Sequence, residues 1–159
     1  MKEELNFKKD KDIIIYECKD EGNHKIFGKE FVKNNIDLII NGNETNLIDE
    51  YKLKKGENNI KLLIKNKITN VSYMFNKCEV LKNIDELKYL NTSNCNNFSY
   101  MFGGCSPLSD INSLEKWNVS NGKDFRHMFS FCLKLSDIKP LENWNVSNGN
   151  NFGCMFMGC

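Results

Sequence analysis

The chain has 159 residues, 40% of them hydrophobic and 27% charged, with a formal net charge of +1 at neutral pH. That balance excludes the strongly basic face that nucleic acid or an anionic membrane calls for, and the hydrophobic fraction excludes native disorder. The apolar runs are far shorter than the roughly 20 residues of a membrane span, and the opening MKEELNFKKDKD is charged where a secretory signal has an apolar core, so no membrane insertion is expected and the chain reads as cytoplasmic.

Residues 1–59 form the first expected unit, a β-rich N-terminal cap. DIIIYEC has the composition of a strand. HKIFGKEFVKNN places Phe27, Phe31 and Val32 at roughly helical spacing. IDLIINGNETNLIDEYKL predicts a hairpin around Asn41-Gly42, a dipeptide suited to a type I′ turn, and NNIKLLIKN predicts a further strand that leads directly into a series of repeats.

From residue 60 the chain repeats itself every 27 residues. Met74-Phe75, Met101-Phe102, Met128-Phe129 and Met155-Phe156 are in phase, as are Cys78, Cys105, Cys132 and Cys159. Val71, Phe98, Phe125 and Phe152 form another column, and Leu90, Trp117 and Trp144 a further one. Between them run Leu81, Leu108 and Leu135, then Ile84, Ile111 and Ile138, then Leu87, Leu114 and Leu141. Ile60 falls into the column of Leu87 and Leu63 into that of Leu90, so residues 60–159 are read as one partial and three full repeats, with truncation expected after Cys159.

Phe98, Met101, Phe102 and Cys105 stand at i, i+3, i+4 and i+7, which predicts a short amphipathic helix in each copy, N-capped by Asn97, Asp124 or Asn151. The preceding NVSNG predicts a turn in which Gly122 and Gly149 take positive φ. The Leu-x-x-Ile-x-x-Leu stretch has period three and reads as a short strand or extended arc. One repeat buries side chains worth roughly 10–15 kcal/mol, less than the cost of ordering it at about 1–2 kcal/mol per residue. Copies must therefore stack. The expected fold is an α/β repeat solenoid of the leucine-rich-repeat-like kind, with strand or arc, turn and helix in each coil and the β-rich cap at one end.

The columns WNVSN, NVSYMFNKC and NFSYMFGGC resemble the BspA-type leucine-rich-repeat-like family of bacterial and protist surface proteins over residues 60–159. The resemblance implies a right-handed solenoid used for adhesion or protein recognition, with no catalytic residue and no cofactor. The sequence departs from that pattern where Ile68 is followed in later copies by Cys95, Gly122 and Gly149, which puts inward packing at that corner in question.

Adjacent helices lie about 8–10 Å apart, too far for a disulfide or a shared zinc between neighbouring column cysteines. Those cysteines are expected to be buried thiols. Cys95 and Cys154 lie outside the column and are the candidates for reactive thiols, which keeps a thiol- or metal-binding protein as the weakest of three readings. Trp117 and Trp144 share their column with leucine and are expected in the core, while His24 and His127 are expected to be solvated. Asn70, Asn91, Asn97, Asn118 and Asn145 stand in glycosylation-like triplets, yet they recur with the turns and are expected to act as Asx-type turn residues.

Candidate contact residues are those that vary while the core columns hold: Asn83, Asp85, Glu86 and Lys88, then Asp110, Asn112, Glu115 and Lys116, then Asp137, Lys139, Glu142 and Asn143. Stacking would align them in a polar strip. The leading expectation is a noncatalytic module for protein–protein recognition or scaffolding inside the cell. The alternative is a cell-surface adhesion protein whose export signal is absent here. The coil ending at Cys159 has no cap and is expected to fray or to self-associate.

Overall fold

A computed structural model describes residues 13–31, 36–46, 48–64 and 68–159, with the backbone alone described at 13–17, 63 and 64. Val32 therefore lies outside the described residues, and so does the side chain of Leu63.

In chain order the described residues open with six strands: β1 (Ile13–Cys18), β2 (Gly22–Lys25), β3 (Ile36–Ile40), β4 (Asn43–Thr45), β5 (Glu50–Leu53) and β6 (Gly56–Ile64). A seventh, β7 (Leu81–Asn83), comes from the first repeat. The larger sheet runs β4-β3-β6-β1-β7, its paired neighbours antiparallel, and β2 pairs with β5 in a second antiparallel sheet. The hairpin expected at Asn41-Gly42 forms, with φ of 47° and 86° at the two residues as a type I′ turn requires. Ile36 and Leu38 of β3 point inward and alternate with the exposed Asp37. Phe27 and Phe31 are buried, but they follow β2 in a turn instead of lying on a helix. β6 crosses the expected boundary at residue 60, and β7 joins the sheet through Tyr16 and Leu81. The leader and the first repeat thus share one sheet.

From Val71 onward the repeats stack unit on unit, marked by parallel bridges from Asn70 to Asn97, Asn97 to Asp124 and Asp124 to Asn151. The expected α/β solenoid is nevertheless overturned. No α-helix occurs among the described residues, whose regular elements are antiparallel strands and three short 3₁₀ helices: η1 (Asp85–Tyr89), η2 (Asn112–Leu114) and η3 (Lys139–Leu141).

The reason lies in where the backbone N–H groups go. An α-helix returns each N–H to the carbonyl four residues earlier. Here the N–H groups of Phe98, Tyr100, Phe102 and Gly104 leave their own unit and donate to Asp124, Arg126, Met128 and Ser130 of the next, at 2.7–3.0 Å. The alternate N–H groups of Met101, Gly103 and Cys105 turn back three residues, to Phe98, Tyr100 and Phe102. This division requires left-handed backbone at two points per unit. Tyr100 and Gly104 have φ of 57° and 78°, and Tyr73, Lys77, His127, Phe131, Cys154 and Gly158 repeat the feature. A left-handed non-glycine residue costs roughly 1–2 kcal/mol, offset by four inter-unit hydrogen bonds at about 0.5–1.5 kcal/mol each.

The core columns then stack as flat rings. Phe75, Phe102, Phe129 and Phe156 lie 5.5–5.6 Å apart, and Phe98, Phe125 and Phe152 lie 5.2 Å apart. Both are offset-stacking distances that add to the burial itself. The period-three arc is strand β7 in the first repeat, followed by η1, and in the later repeats it carries η2 and η3. A 3₁₀ helix has three residues per turn, which places Ile111 and Leu114 on one buried face. Gly122 and Gly149 are absent from the positive-φ residues, contrary to expectation. They are small because a Cβ there would lie 2.3 Å from the ring of Phe125 and 2.4 Å from that of Phe152. The corner left in question is packed: Cys95 is fully buried and Ile68 lies partly buried against the core.

Candidate interaction surface

Each unit turns three corners, and an Asn or Asp begins every one. Asn83, Asp110 and Asp137 accept the backbone N–H two residues on, at 2.7–2.8 Å, and so open η1, η2 and η3. Asn91, Asn118 and Asn145 do the same for Ser93, Ser120 and Ser147. Asn70, Asn97, Asp124 and Asn151 form the third set. The glycosylation-like triplets are thus Asx turns, and the residues expected as N-caps cap turns instead of helices. Three members of the expected contact strip, Asn83, Asp110 and Asp137, are also occupied in shaping the backbone.

The rest of the strip lies on or beside the three 3₁₀ helices. Asp85, Lys88, Asn112, Glu115, Lys116, Lys139, Glu142 and Asn143 are exposed, and Glu86 is half-buried with its carboxylate 3.4 Å from the ammonium of Lys88. Neighbouring units share grooves here. One lies between η1 and η2, lined by Asp85, Lys88, Asn112, Ser113, Glu115 and Lys116. A second lies between η2 and η3, where Asn112 and Glu115 face Asp137, Lys139 and Glu142. The first groove holds a residue that sequence reasoning passed over: Ser113 is buried, and its Oγ has no hydrogen-bond partner among the described residues. Its column holds Glu86 and Pro140 in the other units, so no repeated residue type marked it.

Val71, Phe98, Phe125, Met74, Phe75, Cys78, Met101, Phe102, Cys105, Met128, Phe129, Cys132, Leu90, Trp117 and Trp144 are all buried. In the last unit Phe152 is 41% exposed, Met155 and Phe156 are half-buried, and Cys159 is exposed. The polar atoms of these columns also work across units. Trp117 and Trp144 donate Nε1–H to the carbonyls of Leu87 and Leu114. The thiols of Cys105, Cys132 and Cys159 donate to the carbonyls of Phe75, Phe102 and Phe129 at 3.0–3.2 Å. Asn121 and Asn148 send amide hydrogens to Ser93 and Ser120.

His127 is not simply solvated: its ring stacks on Tyr100 at 4.5 Å, and Tyr100 stacks on Tyr73 at 4.8 Å. His24 is half-buried and has a ring nitrogen 3.0 Å from the carbonyl of Asp20. All seven cysteines are unpaired, and no group of three or more His, Cys, Asp or Glu is placed to hold a metal among the described residues.

Cys95 is not an accessible thiol. It donates to the carbonyl of Ile68, and burial pushes it up to about 12. Burial likewise raises Cys132 to about 12 and holds Cys78 and Cys105 well above the ordinary thiol range. Because the thiolate is the reactive form, native alkylation followed by mass mapping should modify Cys154 and Cys159 first and Cys95 with the slow core thiols. Modification of Cys95 as fast as Cys154 would contradict this placement.

These features define a class: a small β-rich repeat protein in which the same turn corners, ring stacks and cross-unit hydrogen bonds recur every 27 residues. The chain belongs to the family described as Mycoplasma protein of unknown function, DUF285, which it matches over residues 45–159. No curated protein and no solved structure matches it. Among the described residues no helix is long and apolar enough to cross a membrane.

Proposed function

We propose that this chain is a noncatalytic recognition module that holds a partner polypeptide in the grooves beside η1, η2 and η3. The observation that carries this reading is the groove between η1 and η2. Ser113, whose buried Oγ has no hydrogen-bond partner among the described residues, is one of its lining residues, and its walls carry both signs of charge in Asp85, Glu115, Lys88 and Lys116. A buried polar atom without a partner costs about 1–3 kcal/mol, so a ligand that supplies a hydrogen bond there gains what the free protein forgoes. Mixed charge suits an extended peptide, whose backbone offers donors and acceptors together. The BspA-type likeness of the repeat columns supports adhesion as the biological setting.

A photo-crosslinker placed at Lys116 should capture the partner, and the double variant Glu115→Lys with Glu142→Lys should abolish that adduct. Surface changes of this kind shift stability by only about 0.5 kcal/mol, so thermal unfolding should be preserved. Undiminished capture by the folded double variant would overturn the reading.

A further inference from the structure

The second sheet has an open side. β2 pairs with β5 and with no other strand among the described residues. Their register runs from Gly22 opposite Leu53 to Lys25 opposite Glu50, and one step further Ile26 N–H donates to the carbonyl of Asp49. In an antiparallel pair, residues that exchange hydrogen bonds alternate with residues that do not. Ile26 bonds across the pair, so His24 and Gly22 do as well, and Asn23 and Lys25 turn their backbone N–H and C=O groups to the opposite side. Those groups have no partner among the described residues.

That side borders a groove. Asn23, His24 and Lys25 line it together with Lys77, Glu79 and Val80 of the first repeat. Its charges are unequal, with Lys25 and Lys77 against Glu79, and Glu50, opposite Lys25 across the strand pair, is not among the lining residues. Val80, half-buried against the core, adds an apolar contact. Two parts of the chain build the groove: β2 precedes residue 45, where the family match begins, and the other three residues lie within that match.

We propose that this groove binds an extended acidic peptide, which adds to β2 as a third strand of the second sheet. The peptide backbone meets the free groups of Asn23 and Lys25, its carboxylates lie by Lys25 and Lys77, and an apolar side chain rests on Val80. Backbone pairing supplies affinity, and the lysines select acid over base. A second copy of this chain is a poor occupant, because two β2 edges laid together would set lysine against lysine. The groove shares no residue with those beside η1, η2 and η3. Its occupancy is therefore independent of theirs.

The probe is a capped peptide of about eight residues, within the ordinary length of a strand, in which Glu and Val alternate. A peptide alternating Lys and Val is its control. In the isotope-labelled full chain, the amides of Asn23 and Lys25 should exchange rapidly while those of His24 and Ile26 are protected. Excess Glu–Val peptide should slow Asn23 and Lys25 by about tenfold or more, and Lys–Val peptide should leave them unchanged. The double variant Lys25→Glu with Lys77→Glu should reverse that preference, while the amides of Phe102 and Phe129 stay protected and report an intact stack. Rapid exchange of Asn23 and Lys25 at saturating Glu–Val peptide would overturn the proposal. So would equal slowing by the two peptides, an unreversed preference in the folded double variant, or protection of both amides before any peptide is added, which would show the edge to be covered already.

Discussion

Replacing Phe102 by alanine is expected to lower the unfolding free energy by about 3–5 kcal/mol. The ring is fully buried and stacked between Phe75 at 5.6 Å and Phe129 at 5.5 Å, so truncation removes two ring contacts and opens a cavity in the middle of a column. The walls of that cavity cannot close in. Each neighbouring ring is held by inter-unit hydrogen bonds of its own backbone: Phe75 N–H donates to Met101 at 2.8 Å and Phe129 N–H to Met155 at 2.9 Å. The comparison that gives the number meaning is Phe156→Ala in the same column. Phe156 is half-buried and among the described residues stacks on one ring only, at 5.6 Å, so its loss should cost about 1–2 kcal/mol. Equilibrium urea denaturation of the two variants measures both. Equal losses would mean that the last unit is as enclosed as the inner ones.

The period of 27 was legible because burial recurs with it, and the columns named from the sequence are those that stack. The Asx turns were legible too, since a side-chain acceptor two residues before a backbone donor is a local arrangement. The helices were misread for a physical reason. Spacing of i, i+3, i+4 and i+7 reports which side chains face inward and says nothing of where the N–H groups go. A segment such as Phe98–Cys105 turns its apolar side chains inward while exporting alternate N–H groups to the next unit. A signal was present in Gly104 and Gly158, which recur one position before the column cysteine and supply left-handed backbone.

The candidate surface was half legible. The polar strip stood out because its positions vary between fixed columns. Ser113 did not, because an unpartnered hydroxyl is a property of its surroundings and not of its residue type. Cys95 was misplaced because its column holds glycine elsewhere, and glycine suggested a free turn. Gly122 and Gly149 are small because the ring of Phe125 or Phe152 fills the space beside them, whereas Ile68 and Cys95 in the same column pack against the core. In the leader, the Asn41-Gly42 hairpin could be read locally, whereas the pairing of β2 with β5 joins distant segments that no local pattern connects.

The junction between leader and repeats supplies the second large effect. Gly28→Ala is expected to cost about 3 kcal/mol or more, because a Cβ at Gly28 would stand 2.0 Å from the backbone carbonyl oxygen of Tyr73. No side-chain rotation relieves that clash. The glycine and Tyr73 would have to part, and the hydrogen bond from Gly28 N–H to Met74 at 3.2 Å would go with them. Parting would also uncover Phe27 and Phe31, both buried here, and the face of Phe75 that Phe27 covers. The first unit takes its cover from the leader, and Gly28 is one point where the two backbones meet, alongside the pairing of β1 with β7. The outcome is therefore a loss of cooperativity as well as of stability. Hydrogen exchange in Gly28→Ala should accelerate first at Met74, Asn76 and Cys78, before the amides of Phe102 and Phe129 respond. Uniform acceleration through all units, or none at the first, would show that the leader does not hold the stack at this point.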